Sequence, residues 1–445
     1  MIRGYPGGAS VAPGDRLVLH VATDAPRFRI SVYRWGDGFV PMLESQWFSG
    51  QYAEPRDPAA DWGWPAYELA IPDHWPSAVY MAHLQEPHGP ALHEGIDNAA
   101  ALFVVRGEGR SPLLYKIPLA TYHAYNCTGG GCFYMNPPRS HTPPGSKVSL
   151  RRPGGGIGGG THGAIDHYDT RSPRQTFAHW DAPFIRWLLR NGYAPEFCTD
   201  FDIHKDPRLC SRYRLLLSVG HDEYWSEAMR DHVEDYISGG GNVAFFGANL
   251  CWWRIHVVDE GTAMVCHQGG PHGALDQWWP KRPEDSLTGV SYRHGGGWWD
   301  GPRRTSGYVV QQPEHWLFEG TGLQCGDAFG NDTSPPLPGY ECDGAPLARF
   351  DEATATLSAD ARHFGTPTKF LTLAVGLLDA HWQELPAREA YPARGGIHAA
   401  TMGIFSRNGT VFTTASTDWA QVLASGQDCR VEKITSNVIT RLLSD

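Results

Sequence analysis

One run of apolar residues, Arg214-Leu-Leu-Leu-Ser-Val219, constrains the fold of this chain more than any other segment. Alternation with period two marks a strand that is wet on one face. An unbroken run marks a strand covered on both, as in a parallel sheet. Ser226 then serves as the N-cap of a helix to about Ser238, with Glu227 in its first turn and Gly239-Gly-Gly241 ending it. Asn242-Val-Ala-Phe-Phe246 is the next strand. Upstream, Leu113-Leu-Tyr-Lys-Ile117 and residues 193–198 read as strands. Residues 180–191 carry Phe184, Trp187 and Leu188 at helical spacing and stop at Gly192. Strands alternating with helices predict an open α/β sheet.

The first hundred residues have a different rhythm. Asp15-Arg-Leu-Val-Leu-His-Val-Ala22 follows a turn signal, and Phe28, Ile30 and Val32 alternate with Arg27, Arg29 and Ser31. Residues 77–84 and 101–106 read as further strands. Short strands between Pro/Gly turns predict an N-terminal antiparallel β-sandwich over residues 1–107. Gly107-Glu-Gly-Arg-Ser-Pro112 is the expected linker, and residues 108–445 form an α/β catalytic domain of flavodoxin-like or glutamine-amidotransferase-like type. Long loop insertions with small strands, rich in Gly, Pro and Trp, fill about 254–345 and cover the site. Strand-like runs resume over 366–420, and a last helix follows Ser425 or Asp428. A chain of 445 residues is too long for one ordinary core. The run Gly154-Gly-Gly-Ile-Gly-Gly-Gly160 predicts a flexible loop; it lacks the Lys-Ser/Thr end of a phosphate loop.

Charge narrows the function. The formal net charge is −11 and no basic stripe is present, which argues against nucleic acid and against anionic membranes. No apolar run is long enough to span a bilayer, and Met1-Ile-Arg-Gly-Tyr-Pro-Gly-Gly lacks the apolar region of a signal peptide. Nine scattered cysteines suit reduced thiols in a cytoplasm.

In open α/β sheets, ligands sit at the carboxyl ends of the strands. His221, Asp222 and Glu223 follow the apolar strand directly. Glu223 is a candidate metal ligand or general base and His221 a candidate proton shuttle; the plainer alternative is that His221 and Asp222 cap the next helix. Asn249 ends the following strand, where its amide can bind a substrate carbonyl or simply make a turn. The first α/β strand leads to Thr121-Tyr-His-Ala-Tyr-Asn126 and Gly129-Gly-Gly131. A tyrosine there is a hard anionic ligand for ferric iron or else an aromatic core wall. Cys127 and Cys132 lack the second cysteine pair of a structural zinc site. An amidotransferase would need a cysteine nucleophile after the strand, where Asp222 and Glu223 stand instead.

At Gly220-His-Asp-Glu-Tyr-Trp225, the chain resembles the catalytic large subunit of N,N-dimethylformamidase and its relatives. The likeness extends to Tyr125-Asn126 with its glycines, Ala182-Pro-Phe184, Asn191-Gly-Tyr193, residues 239–249 and Gly339-Tyr-Glu-Cys-Asp343. It also takes in Ser10-Val-Ala-Pro-Gly14 and Tyr33-Arg-Trp-Gly36. The resemblance implies a mononuclear Fe³⁺ held by two tyrosines and a glutamate, with zinc the less favoured metal. Glu223 matches the glutamate, in His-Asp-Glu where the formamidase has His-Pro-Glu. Tyr125 matches the first tyrosine and Tyr168 is the candidate for the second. His221 and Asn249 match positions that contact substrate or support the ligands, and Glu341 matches a further acidic position; His221 or Glu341 would move protons. The implied activity is hydrolysis of a small amide. Another carbon–nitrogen bond, an ester, or a non-catalytic carbohydrate-binding role are the alternatives. Partners reduce to a small-molecule amide; self-association and a small partner subunit stay open.

Overall fold

The computed structural model describes residues 1–92, 99–134, 147–157, 161–163, 165–268, 275–298, 301–351, 354–379, 381–383 and 396–444. From residue 158 on, the expected glycine loop lies outside the described residues up to 160. The structure is rich in β-sheet, with several sheets and few helices.

Strands between residues 3 and 105 make two sheets. One joins Arg3–Pro6, Arg16–Ala22 and Ala66–Ala70. The other runs Ser10–Val11, Ala100–Val105, Ala78–Gln85, Arg27–Trp35 and Phe39–Glu44; all of its pairings are antiparallel but the first. Phe28, Ile30 and Val32 point into the core as their alternation requires. Ala78–Gln85 and Ala100–Val105 are instead buried on both faces. Their outer side is covered by the next region of the chain: Phe197 N–H donates to Ser77 Oγ at 2.8 Å and Trp35 Nε1–H to the Ala182 carbonyl at 3.0 Å.

The central sheet has nine strands. Five are parallel: β1 (Leu113–Ile117), β2 (Glu196–Thr199), β3 (Leu215–His221), β4 (Asn242–Ala248) and β5 (Thr410–Thr413). They lie in the order β2-β1-β3-β4-β5. Four antiparallel strands extend the β5 edge: Ala399–Ser406, Leu371–Leu377, Tyr308–Val310 and Ala328–Phe329. The sheet is therefore mixed. Two of the antiparallel strands, Tyr308–Val310 and Ala328–Phe329, come from the segment expected to hold loops and small strands; they join this sheet because short strands gain stability by pairing with an exposed edge.

Every residue of β1, β3 and β4 is buried. That follows from helices on both sides. The helix α1 (Leu119–Tyr125) follows β1. Next come α2 (Asp181–Arg190) and α3 (Glu227–Ser238), and at the end α4 (Trp419–Ser425) and α5 (Cys429–Ser444). Ser226 caps α3, its Oγ accepting from Met229 N–H at 3.1 Å, so His221 and Asp222 are free of that duty. Of the two caps expected for α5, Asp428 is used: its Oδ1 accepts from Arg430 N–H at 3.0 Å. Among the described residues, no helix is long and apolar enough to cross a membrane.

Candidate active site

With β1 flanked by β2 and β3, the direction of chain crossover reverses between β1 and β3. A crevice opens at the carboxyl ends of such a pair. Two polar segments feed it, α1 after β1 and residues 221–224 after β3.

The first segment doubles back. Asn126 ends α1; its Oδ1 accepts from Thr128 N–H at 3.0 Å and its amide donates to the Pro153 carbonyl at 2.9 Å. Gly129 and Gly130, with φ of 91° and 94°, make the reversal that side chains with a Cβ resist. Phe133 N–H then donates to the Ala124 carbonyl at 3.0 Å, returning the chain beside α1. The ring of Tyr134 comes to rest 4.6 Å from that of Tyr125.

The second segment is pinned from both sides. Gly220 has φ +71°, and a Cβ there would lie 2.6 Å from Trp180 Cβ. Glu223 N–H donates to Thr121 Oγ1 at 3.0 Å, and the Glu223 carbonyl accepts from Trp253 N–H at 3.0 Å. Asp222 turns away from the crevice to a buried ion pair with Lys116, and Ser218 Oγ–H donates to it at 2.5 Å.

Five oxygens consequently converge. Tyr125 Oη donates to Glu223 Oε2 at 2.8 Å and lies 3.0 Å from Tyr134 Oη, which is 3.2 Å from both Glu223 oxygens. Tyr224 Oη lies 2.5 Å from Tyr134 Oη. The Gln268 side chain is 2.6 Å from Tyr224 Oη; with its oxygen toward the phenol it also accepts from Trp253 Nε1–H at 3.2 Å. Beside this cluster, His221 Nε2 is 2.8 Å from Glu341 Oε2 and 3.5 Å from Glu223 Oε2. His221 Nδ1 is 2.6 Å from Gln175 Oε1.

The electrostatics follow from burial. Burial, with the nearby Glu341 charge, pushes the Glu223 carboxyl up to about 7, against the pull of His221 and the two phenols. Burial lowers the His221 imidazole, but Glu341 and then Glu223 outweigh it and raise it, which favours the imidazolium. Burial and the Glu223 charge hold the Tyr125, Tyr134 and Tyr224 phenols well above their ordinary range. Acidic groups thus outnumber the single imidazolium, and the phenols keep their protons.

Asn249 completes the site from β4. It sits at φ +50°, and Asp343 holds it there by accepting from Asn249 N–H at 2.9 Å and Leu250 N–H at 3.1 Å. Its amide nitrogen donates to Glu341 Oε2 at 3.3 Å, while Asn249 Oδ1 is buried without a hydrogen-bond partner.

The family model described as "N,N-dimethylformamidase beta subunit-like, C-terminal" matches residues 29–431. The chain belongs to this family. It is 28% identical over 309 residues to the N,N-dimethylformamidase beta subunit of an Alcaligenes species, and 26% identical over 309 residues to that of Paracoccus aminophilus. Each match covers 61% of this chain and 38% of the relative, so the chain spans well under half the length of the curated relatives it matches. Those relatives are named as beta subunits, where the likeness seen in the sequence was to a large subunit.

Against the ligand set that the family resemblance implies, the structure brings Tyr125 and Glu223 together, with His221, Asn249 and Glu341 beside them. Tyr168 is elsewhere. Its Oη accepts from Arg303 N–H at 2.8 Å, its ring faces the Arg303 guanidinium at 4.9 Å, and it lines a separate cavity of about 670 Å³ with Trp35 and Arg186. Tyr134 occupies the place beside Tyr125, because the glycine turn folds the chain back within nine residues. The sequence reading also missed Gln175, Tyr224 and Asp343. A phenol just past Gly129-Gly-Gly131 was the available signal for Tyr134. Nothing local marks Gln175, 46 residues before His221. Among the described residues, no group of three or more His, Cys, Asp or Glu side chains is arranged to hold a metal. Two phenols and one carboxylate are a different kind of set.

Proposed function

We propose that this chain is an iron-dependent hydrolase of a small amide, with Tyr125, Tyr134 and Glu223 as the residues that would hold a ferric ion. The convergence of the Tyr125, Tyr134 and Glu223 oxygens within 2.8–3.2 Å of one another carries this reading. Oxygen ligands about 2.0–2.2 Å from a shared ion lie roughly 2.8–3.6 Å apart, so the donor set fits a small cation. All its donors are hard oxygens, as ferric iron prefers. Two phenolates and a carboxylate would cancel a threefold charge, which lowers the cost of burial. The strand order β2-β1-β3-β4-β5 supports a flavodoxin-like reading of the parallel part, with this crevice as its ligand position.

A ferric ion, when bound, would supply Lewis acidity toward an amide carbonyl and water. The remaining chemistry falls to the chain's own groups. Amide hydrolysis needs one proton taken from water and one delivered to the departing nitrogen. Gln175 Oε1 accepts from His221 Nδ1–H, which fixes the ring and leaves Nε2, facing Glu341, as the atom that exchanges a proton. Asn249 Oδ1 offers a buried acceptor for an N–H or O–H of the reacting molecules.

Elemental analysis and a visible spectrum of the purified protein test the reading, together with a panel of small amides and esters. About one iron per chain, visible absorption from phenolate-to-iron charge transfer, and amide turnover are expected. A colourless protein with stoichiometric zinc would sink the iron assignment. Turnover of esters alone would sink the amide.

A further inference from the structure

The turn that joins the two phenols has cysteines at both ends. Cys127 Sγ and Cys132 Sγ are 3.2 Å apart. Two thiolates on a tetrahedral zinc, with Zn–S near 2.3 Å, would stand about 3.8 Å apart, so the pair is too close for a shared metal. A disulfide, at about 2.05 Å, needs the sulfurs to approach by only about 1.2 Å more. The turn is built to keep them there. Gly129 and Gly130 take positive φ, Gly130 N–H donates to the Cys127 carbonyl at 2.9 Å, and Arg152 NH1 donates to the Thr128 carbonyl at 2.7 Å. Each sulfur also touches the backbone of a phenol residue. Cys127 Sγ–H donates to the Tyr125 carbonyl at 3.6 Å, and Cys132 Sγ accepts from Tyr134 N–H at 3.4 Å.

We propose that Cys127 and Cys132 are a modification site: a low-molecular-weight disulfide oxidises them to a cross-link that closes the turn between Tyr125 and Tyr134. Cys127 is half-buried and Cys132 buried, so Cys127 meets the oxidant first. Its sulfur attacks one sulfur of the small disulfide, whose S–S bond breaks; the Cys127 proton leaves with the first thiol released. The Cys132 sulfur then attacks Cys127 Sγ and expels the second thiol with its own proton. Two protein thiols and one small disulfide become one protein disulfide and two small thiols. The cross-link fixes the distance between the two phenol residues and so slows loss of a cation they share. That consequence rests on the functional reading above; the cross-link does not.

The full chain is incubated with oxidised glutathione, remaining thiols are blocked with N-ethylmaleimide after denaturation, and digests are weighed by mass spectrometry. The expected product is a Cys127–Cys132 peptide two hydrogens lighter and unblocked. Cys132→Ser should stop at a mixed disulfide on Cys127, and circular dichroism checks that it folds. Blocked thiols at both positions in the wild type, or glutathione retained on wild-type Cys127, overturn the proposal. Iron loss to EDTA should be severalfold slower from cross-linked protein; equal rates overturn the link to the site. Protein that cross-links but binds no iron in either state rejects the metal reading and leaves the modification standing.

Discussion

Two imidazoles are fully buried on neighbouring parts of this fold, and their surroundings differ in one respect. His179 Nε2 faces Asp166 Oδ2 at 3.1 Å, and its Nδ1 lies 3.1 Å from the Ser172 carbonyl. Asp166 is shared with Arg174 at 3.3 Å and accepts from Tyr168 N–H at 2.9 Å. Burial would raise the Asp166 carboxyl, but the hydrogen bond and charge of His179, with Arg174, hold it below its ordinary range. Around His221 the balance is reversed: Glu341 and Glu223 both face one imidazole, beside the ring of Tyr125. Around His179 acid and base are balanced, so removing one partner leaves a buried charge uncompensated. A buried surplus of acid costs stability and persists where a cation or a substrate supplies what is missing.

The largest expected effects test that surplus. Glu223→Gln and Tyr134→Phe should each weaken iron binding by more than the roughly 10–100-fold that loss of a merely supporting group costs. Amide hydrolysis should fall with the iron while circular dichroism stays unchanged. Full iron content in both variants would show that the ligand set is wrong. Lost iron with retained turnover would make the metal structural.

The two histidine sites should then fail in opposite ways. His221→Asn should lower kcat by about 10²–10⁴-fold, the usual worth of a general acid–base group, at unchanged melting temperature. Asp166→Ala removes the carboxylate that His179 and Arg174 share in the interior and should cost about 3–5 kcal/mol in urea titration. Iron content and kcat per folded molecule should stay the same. If instead Asp166→Ala lowered kcat and spared stability, the contrast drawn between the two imidazoles would collapse.

Legibility divides along the same line. β3 was readable because Leu215–Val219 has no alternation, and Ser226 as a cap because its hydroxyl stands next to the helix it starts. Glu223 and Asn249 were readable from their place at strand ends. Ala78–Gln85, by contrast, is dry on both faces because distant parts of the chain, residues 196–199 among them, pack over it. Tyr134 was hidden because its role depends on a reversal through Gly129 and Gly130, and Gln175 because it reaches His221 through space. Strand-like runs over 366–420 and small strands within 254–345 were legible, but that four of them continue the sheet past β5 was hidden, since pairing between residues 308 and 406 is not a local property.

A smaller effect concerns the support under α1. Asp200 Oδ2 accepts from Ala120 N–H at 2.7 Å and Oδ1 from Phe201 N–H at 2.8 Å, at the start of the helix that carries Tyr125. Burial pushes its carboxyl up to about 8, with Lys116 pulling down and Asp222 adding to the rise. The folded state therefore holds a proton that the unfolded chain releases near pH 4, so stability contributed by this group falls as pH rises from about 4 to 8. Asp200→Asn cannot ionise; it keeps one of the two acceptors, and the loss of the other lowers the melting temperature at every pH without changing its slope. Its melting temperature should decline less between pH 5 and about 8 than that of the wild type. Parallel curves would mean that Asp200 titrates alike in both states.

The smallest effect discriminates between two tyrosines that the sequence could not rank. Tyr134 and Tyr168 both follow Tyr125 and precede α2, and both are in reach of polar partners. Tyr168 Oη accepts one backbone N–H, from Arg303, and its ring covers a guanidinium already paired with Asp418. Tyr168→Phe keeps the ring over the guanidinium and removes one hydrogen bond, a loss of about 0.5–1.5 kcal/mol. Iron content and the phenolate absorption should be unchanged, since no oxygen near Glu223 is removed. Tyr134→Phe removes an oxygen 3.2 Å from both carboxylate oxygens and should bleach the visible band. The opposite pattern, a bleached Tyr168→Phe and a coloured Tyr134→Phe, would require the segment around Tyr168 to leave Arg303 and swing into the crevice when iron binds. Tyr134 would then not be a ligand of the bound ion.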